Sequence, residues 1–123
     1  MAKSLAEITK IIDNFGSERG WKNEDPNQLL TSIFIELGEL AEHYQWKNKF
    51  WKLDKDQQTE IGFEFVDVIF YLFRLASQSG IDLEAAFDQK LPKLIEKYPI
   101  GRKELWDKNH QEYRATGKNK KYE

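Results

Sequence analysis

Cysteine is absent from this chain, which excludes disulfides and thiolate zinc sites and fits a reducing, cytoplasmic compartment. Histidine occurs twice, at His43 and His110. A di-iron helical bundle wants Glu-x-x-His, three residues apart, on two helices. Here Glu39 and His43 are four apart and the Ile61–Ala76 stretch has no histidine, so that centre is not expected. No apolar run can span a bilayer, because the longest is interrupted by Glu64, Asp67 and Arg74. The opening MAKSLAEITK lacks the apolar core of a signal peptide. Charge of one sign is lacking too: 19 Lys/Arg against 21 Asp/Glu leave −2, which argues against stable binding to nucleic acid. Period-two alternation is scarce, and there is no internal repeat or low-complexity tract.

What is present is apolar and aromatic. With 123 residues, 40% hydrophobic and 33% charged, the chain reads as one globular domain. Eight Phe, four Trp and five Tyr are more than so small a core can bury, which predicts at least a symmetric homodimer. Charge is uneven: residues 1–99 hold 12 Lys/Arg against 17 Asp/Glu, and residues 100–123 hold 7 against 4. The expected organisation is an all-α catalytic domain over 1–99 and a basic, polar tail over 100–123, part of the same domain or flexible.

Periodicity near 3.6 residues predicts a four-helix bundle-like core with a kinked or split last helix. Ser4 and Glu7 form a capping box for a first helix whose stripe is Leu5, Ile8, Ile11, Ile12 and Phe15. Asp25-Pro26 opens a second helix, with Gln28 as the partner in a capping box, a reach to about Lys47, and a core stripe of Leu30, Ile33, Leu37, Leu40 and Tyr44. Asp54 caps a third helix reaching Gln78. Twelve of the sixteen residues from Ile61 to Ala76 are apolar or aromatic, which predicts a central position for it. Asp82 can cap a fourth helix over 83–98, which Pro92 should kink or split. A short helix can follow Gly101.

Within the second and third helices stand two acidic pairs, Glu36/Glu39 and Glu64/Asp67. Residues three apart share a helix face, so each pair is a strip bordering apolar residues. His43 extends the first strip, and Glu60 and Tyr71 flank the second. If the helices pack antiparallel, as a short connection favours, the strips meet. Carboxylates so gathered repel and take up protons unless cations offset them. Mg2+ is the expected ion and Mn2+ a substitute, since both take oxygen shells that water and phosphate can complete.

The stretches IELGELAEHYQWK (35–47) and EFVDVIFYLFRLA (64–76) resemble the MazG-type all-α nucleoside triphosphate pyrophosphohydrolases, nearest their short, dCTP pyrophosphatase-like members. The similarity runs from about Pro26 to Pro99. It implies metal ligands at Glu36, Glu39, Glu64 and Asp67. It further implies magnesium-dependent cleavage of a nucleoside triphosphate, dCTP or another deoxypyrimidine first, to monophosphate and pyrophosphate. A homotetramer of two dimers is a second assembly that it implies. Trp46 of the QW pair would lie at the base. Lys90, Lys93 and Lys97, before Tyr98-Pro99, would meet phosphate. The chain departs from the family pattern at Ile35, where many members have a second glutamate, and at Pro92 and Leu94.

Glu39 is the preferred residue to orient or deprotonate the attacking water, and Arg74 is placed to pair with an acid or touch phosphate. Trp21 joins Trp46 as a stacking partner, with Asn23, Gln28 and His43 as polar readers of the base. Two rivals stay open at this point. One is a non-catalytic helical binding or structural module whose acids bridge subunits; the other is an all-α dUTPase-like or phosphate-releasing hydrolase.

Overall fold

The computed structural model describes residues 2–117. Among them the structure is all-α: α1 (Leu5–Glu18), α2 (Pro26–Tyr44), α3 (Lys55–Gln78), α4 (Leu83–Lys97) and α5 (Lys103–Thr116), with no strand. The chain divides between Glu84 and Ala85 into two compact units. The first holds α1 to α3; nearly all of α4, with α5, belongs to the second. No described helix is long and apolar enough to cross a membrane.

The starts of α1 and α3 are written locally. Ser4 and Glu7 exchange side-chain and backbone hydrogen bonds at 3.1 Å, and Asp54 with Gln57 does the same at 2.8 and 3.0 Å. Each closes two amide donors that a helix start would otherwise leave open. At α2 the box does not close. Asp25 accepts from the Asn27 amide at 2.9 Å, Pro26 takes the first turn, and the Gln28 side chain is left for the site below. α2 also stops short of the expected Lys47: Gln45 turns out at ψ 133 and Trp46 enters the left-handed region at φ 67.

α3 contacts both α1 and α2, α2 more extensively, and forms the centre of the first unit. Its core is small: Ile12 of α1, Leu29 and Ile33 of α2, Ile61 and Phe73 of α3. The inward face of α2 differs from the expected one. Leu29, Ile33, Glu36, Leu40 and His43 are buried or half-buried, while Leu30, Leu37 and Tyr44 are exposed. A one-residue shift rotates the stripe by about 100°, and the segment carries a second apolar row, Leu30, Phe34 and Leu37, one position along. α3 likewise leaves Phe63, Phe65, Val66 and Ile69 exposed, because two neighbouring helices cannot cover every face of a third.

In the second unit α4 runs unbroken through Pro92. The region after Gly101 forms α5, which ends at Gly117 in the left-handed conformation, φ 72. Tyr98 meets Trp106 edge-on at 6.2 Å, and its hydroxyl lies 3.1 Å from His110 Nε2, joining the α4–α5 corner to α5. The end of the basic tail, residues 118–123, lies outside the described residues.

Candidate functional site

Helices α2 and α3 run antiparallel, and the contacts that establish this also build the site. His43 Nε2 lies 2.8 Å from Glu64 Oε2, and Arg74 pairs with Glu24 just before α2, so low numbers on one helix face high numbers on the other. The spacing 60, 64, 67, 71, 74, 78 draws one line along α3, and that line faces the inward stripe of α2.

The acidic pairs meet on this seam. Glu36 is half-buried; its Oε2 is shut off from solvent and has no hydrogen-bond partner. Its carboxyl is held above the usual carboxylate range, first by burial, then by the charges of Glu39 and Asp67, by a hydrogen-bonding interaction with the Glu39 side chain and by the charge of Glu64. Glu64 Oε2 is also shut off from solvent and, although close to His43, has no aligned hydrogen bond. The His43 imidazole is pushed up by Glu64 foremost, with burial opposing and Glu60 and Glu42 adding. Glu39 and Asp67 are exposed.

A cleft of about 560 Å3 opens beside the acids, with Glu36 and Asp67 in its wall. Toward the start of α2 its lining turns aromatic: Phe15, Trp21, Phe70 and Tyr71, together with Gln28, Glu24 and Arg74. Phe15 stacks edge-on to Phe70 at 5.4 Å and tilts against Trp21 at 5.8 Å. Trp21 is positioned by the end of α1, where the Gly16 carbonyl accepts from the Trp21 amide at 2.9 Å. Gly20, at φ 75, supplies the left-handed turn between them.

The other sequence-predicted residues fall in different places. Asn23, at φ 53, lines a neighbouring pocket of about 270 Å3. His43 is engaged with Glu64 and does not line the cleft. Trp46 is 92% exposed in the α2–α3 connection, also outside the cleft lining. Lys90, Lys93 and Lys97 recur along α4 in the second unit. Arg74 is only 11% exposed at its side chain and pairs with Glu24 rather than with any of the four acids. Residue-by-residue reading missed Glu24, Ser32 and Phe70 as cleft residues. Glu24 carries no local signal, since what places it is contact with residues some fifty positions later in the chain.

The donor set at the acidic end is all oxygen, which suits Mg2+ or Mn2+ and not a thiophilic ion. The shielded oxygen on Glu36 is the kind of buried acceptor a cation would satisfy, whereas the one on Glu64 already faces His43 at 2.8 Å. Among the described residues no three such side chains already stand gathered as a closed ligand set.

Residues 31–120 match the model of the MazG-like family. The chain is 31% identical over 104 residues to dCTP pyrophosphatase 1 of Rattus norvegicus and 31% over 103 to that of Homo sapiens, covering 79% and 78% of this chain. It spans about 60% of the length of these curated relatives. The crystal structure of a pyrophosphatase from Archaeoglobus fulgidus superposes with a TM-score of 0.57 at 30% identity, over 80% of this chain and 95% of that one. With its paired acids on adjoining antiparallel helices and this match over most of its length, the chain belongs to the MazG-like family.

Proposed function

We propose that this chain is a divalent-cation-dependent pyrophosphohydrolase of nucleoside triphosphates, acting on dCTP or another deoxypyrimidine nucleotide. The observation that carries the reading is Glu36: a carboxylate on the inward face of α2, with an unpartnered buried oxygen and three further carboxylates acting on it. The cleft beside it changes from acidic to aromatic along its length, as a phosphorylated, flat-ringed ligand requires. The names of its relatives, dCTP pyrophosphatase and pyrophosphatase, support the same chemistry.

In this reading Glu36, Glu39, Glu64 and Asp67 hold Mg2+ or Mn2+. The cation, when bound, supplies Lewis-acid polarisation of the phosphate oxygens and lowers the pKa of a water. The chain's own groups do the rest. Glu39, the more exposed of the α2 pair, orients the water in line with the α-phosphorus and takes its proton. His43 holds Glu64 in place. The α–β bond breaks and pyrophosphate leaves. At the aromatic end Trp21 stacks on the base and Gln28 reads its edge.

The exposed apolar rows on α2 and α3, among them Phe34 at 65% and Phe63 at 67% exposure, form the contact of a symmetric dimer or of a tetramer built from two. Sedimentation at micromolar concentration tests that part separately, and a monomer there would remove it.

Incubation with a panel of canonical dNTPs and NTPs and Mg2+ tests the chemistry. The expected products are monophosphate and pyrophosphate, with a deoxypyrimidine nucleotide turned over fastest. Release of inorganic phosphate would place the chain with phosphate-releasing hydrolases. No turnover of any nucleotide would favour a non-catalytic module.

A further inference from the structure

The aromatic end of the cleft is closed by an ion pair. Arg74 of α3 and Glu24 of the α1–α2 connection bond to each other, and both, with Trp21, line the 560 Å3 cleft on one side and the 270 Å3 side pocket on the other. They are the partition between the two spaces. The guanidinium carbon lies 4.9 Å from the Trp21 ring centre and 5.6 Å from that of Tyr71, within cation–π range of both aromatic walls.

The partition is braced from behind. The Glu24 amide donates to Gln78 Oε1 at 2.7 Å, and the Gln78 amide donates back to the Glu24 carbonyl. One side chain thus ties both backbone groups of Glu24 to the end of α3. Ser77 donates to Asp13 at 3.1 Å, closing the far side of the same pocket. The pair is half-buried, Arg74 at 11% and Glu24 at 32% side-chain exposure, and a partly desolvated charged pair is a costlier way to fill space than apolar side chains. Held on both partners, it makes a wall of fixed position where an apolar side chain would leave an adjustable one.

We infer that the Glu24–Arg74 pair is a size-determining partition: it ends the base-binding part of the cleft at one ring, and its removal joins the side pocket to the cleft and admits a purine. The inference rests on the reading that the aromatic end takes the base. Both residues are specificity determinants and take no part in bond breaking.

The test is calorimetric binding, with Mn2+, of dCTP and dGTP analogues whose α–β bridging oxygen is replaced by an imido group. The proteins are the wild type, Arg74→Ala, the double variant Glu24→Ala/Arg74→Ala, which leaves no unpaired buried charge, and Arg74→Met, which removes charge but keeps bulk. Circular dichroism checks each fold. The wild type should favour the cytosine analogue by about tenfold or more, the scale on which a pocket wall discriminates. The two alanine proteins should close that gap by gaining purine affinity, and Arg74→Met should keep it. If either alanine protein fails to fold, the other carries the comparison; if both do, loss of the preference in Arg74→Met sinks the partition, and its retention supports bulk as the determinant.

A wild type that does not discriminate would overturn the inference. So would parallel losses for both analogues in the alanine proteins, or loss of preference in Arg74→Met, which would make the charge itself the reader. If neither analogue binds the wild type, the nucleotide reading falls with it. A wild type that binds both equally sinks only the partition.

Discussion

His43 on α2 meets Glu64 on α3 at 2.8 Å, so the one histidine of the first unit is committed to one of the four acids on the facing strips of α2 and α3. The pair joins the two helices one turn beyond Glu39 and fixes the register in which Glu36 faces Asp67. It also makes the seam sensitive to pH.

Both perturbed groups on that seam have pKa values raised in the folded chain, and both shifts have the same sign for stability. Raised by Glu64, His43 contributes stability that is fully present below its ordinary 6.5 and is lost as pH rises through its folded value. Glu36 holds its proton more tightly folded than unfolded, so ionisation above its ordinary 4.5 opposes the fold. In divalent-free buffer the thermal midpoint should therefore fall as pH climbs from about 4.5 to past 6.5 on account of these two groups. Melting curves across that range check it, and His43→Gln should flatten the upper part.

Glu36→Gln removes the ionisation that burial and three neighbouring carboxylates oppose. Without divalent cations at neutral pH this variant should melt a few degrees above the wild type, and below pH 4.5 the advantage should vanish. Added Mg2+ should raise the wild-type midpoint by mass action and leave the variant almost unmoved. Differential scanning calorimetry with and without Mg2+ reads both effects.

Glu39→Gln keeps the size and exposure of the side chain and removes its basicity. Turnover should fall by at least about 10²-fold, the scale of lost general-base catalysis, with the circular dichroism spectrum unchanged. Near-normal turnover would assign the water-activating role elsewhere among the four acids.

Trp21→Ala tests the aromatic end of the cleft. Stacking of a base on an aromatic side chain is worth about 1–3 kcal/mol by alanine substitution, so KM should rise about 5- to 150-fold. Trp46→Ala is the informative companion. Trp46 is largely exposed and outside the cleft lining, so its removal should leave KM unchanged, and a rise as large as that of Trp21→Ala would contradict the assignment of base stacking to Trp21 alone.

Much of the helical fold, and the pairing of the acids along one face of each helix, is legible in the sequence, and the reason is local. Capping at Ser4, Asp25 and Asp54 is decided within four residues, and an i,i+3 pair shares a helix face whatever surrounds it. The inward stripe of α2 was not legible, because LLTSIFIELGEL carries two apolar rows a residue apart and only tertiary contact selects between them. That selection puts Leu29 inside and Leu30 outside, and Glu36 and His43 inside with the leucines. Helical spacing puts Arg74 on the same side of α3 as Glu64 and Asp67, yet its partner is Glu24, fifty residues away, and no spacing rule reaches that far. Trp46 and Phe50 lie in an irregular connection, where periodicity has nothing to say about direction.

The central claim is that the four carboxylates on the α2–α3 seam are held together for a cation. Isothermal titration of Mn2+ and Mg2+ into the metal-stripped protein, alone and with a non-hydrolysable dCTP analogue, tests it most directly. The account predicts saturable uptake that strengthens with nucleotide and is lost in a Glu36→Gln/Asp67→Asn variant. Uptake of neither ion under either condition, or uptake unchanged in that variant, would contradict it.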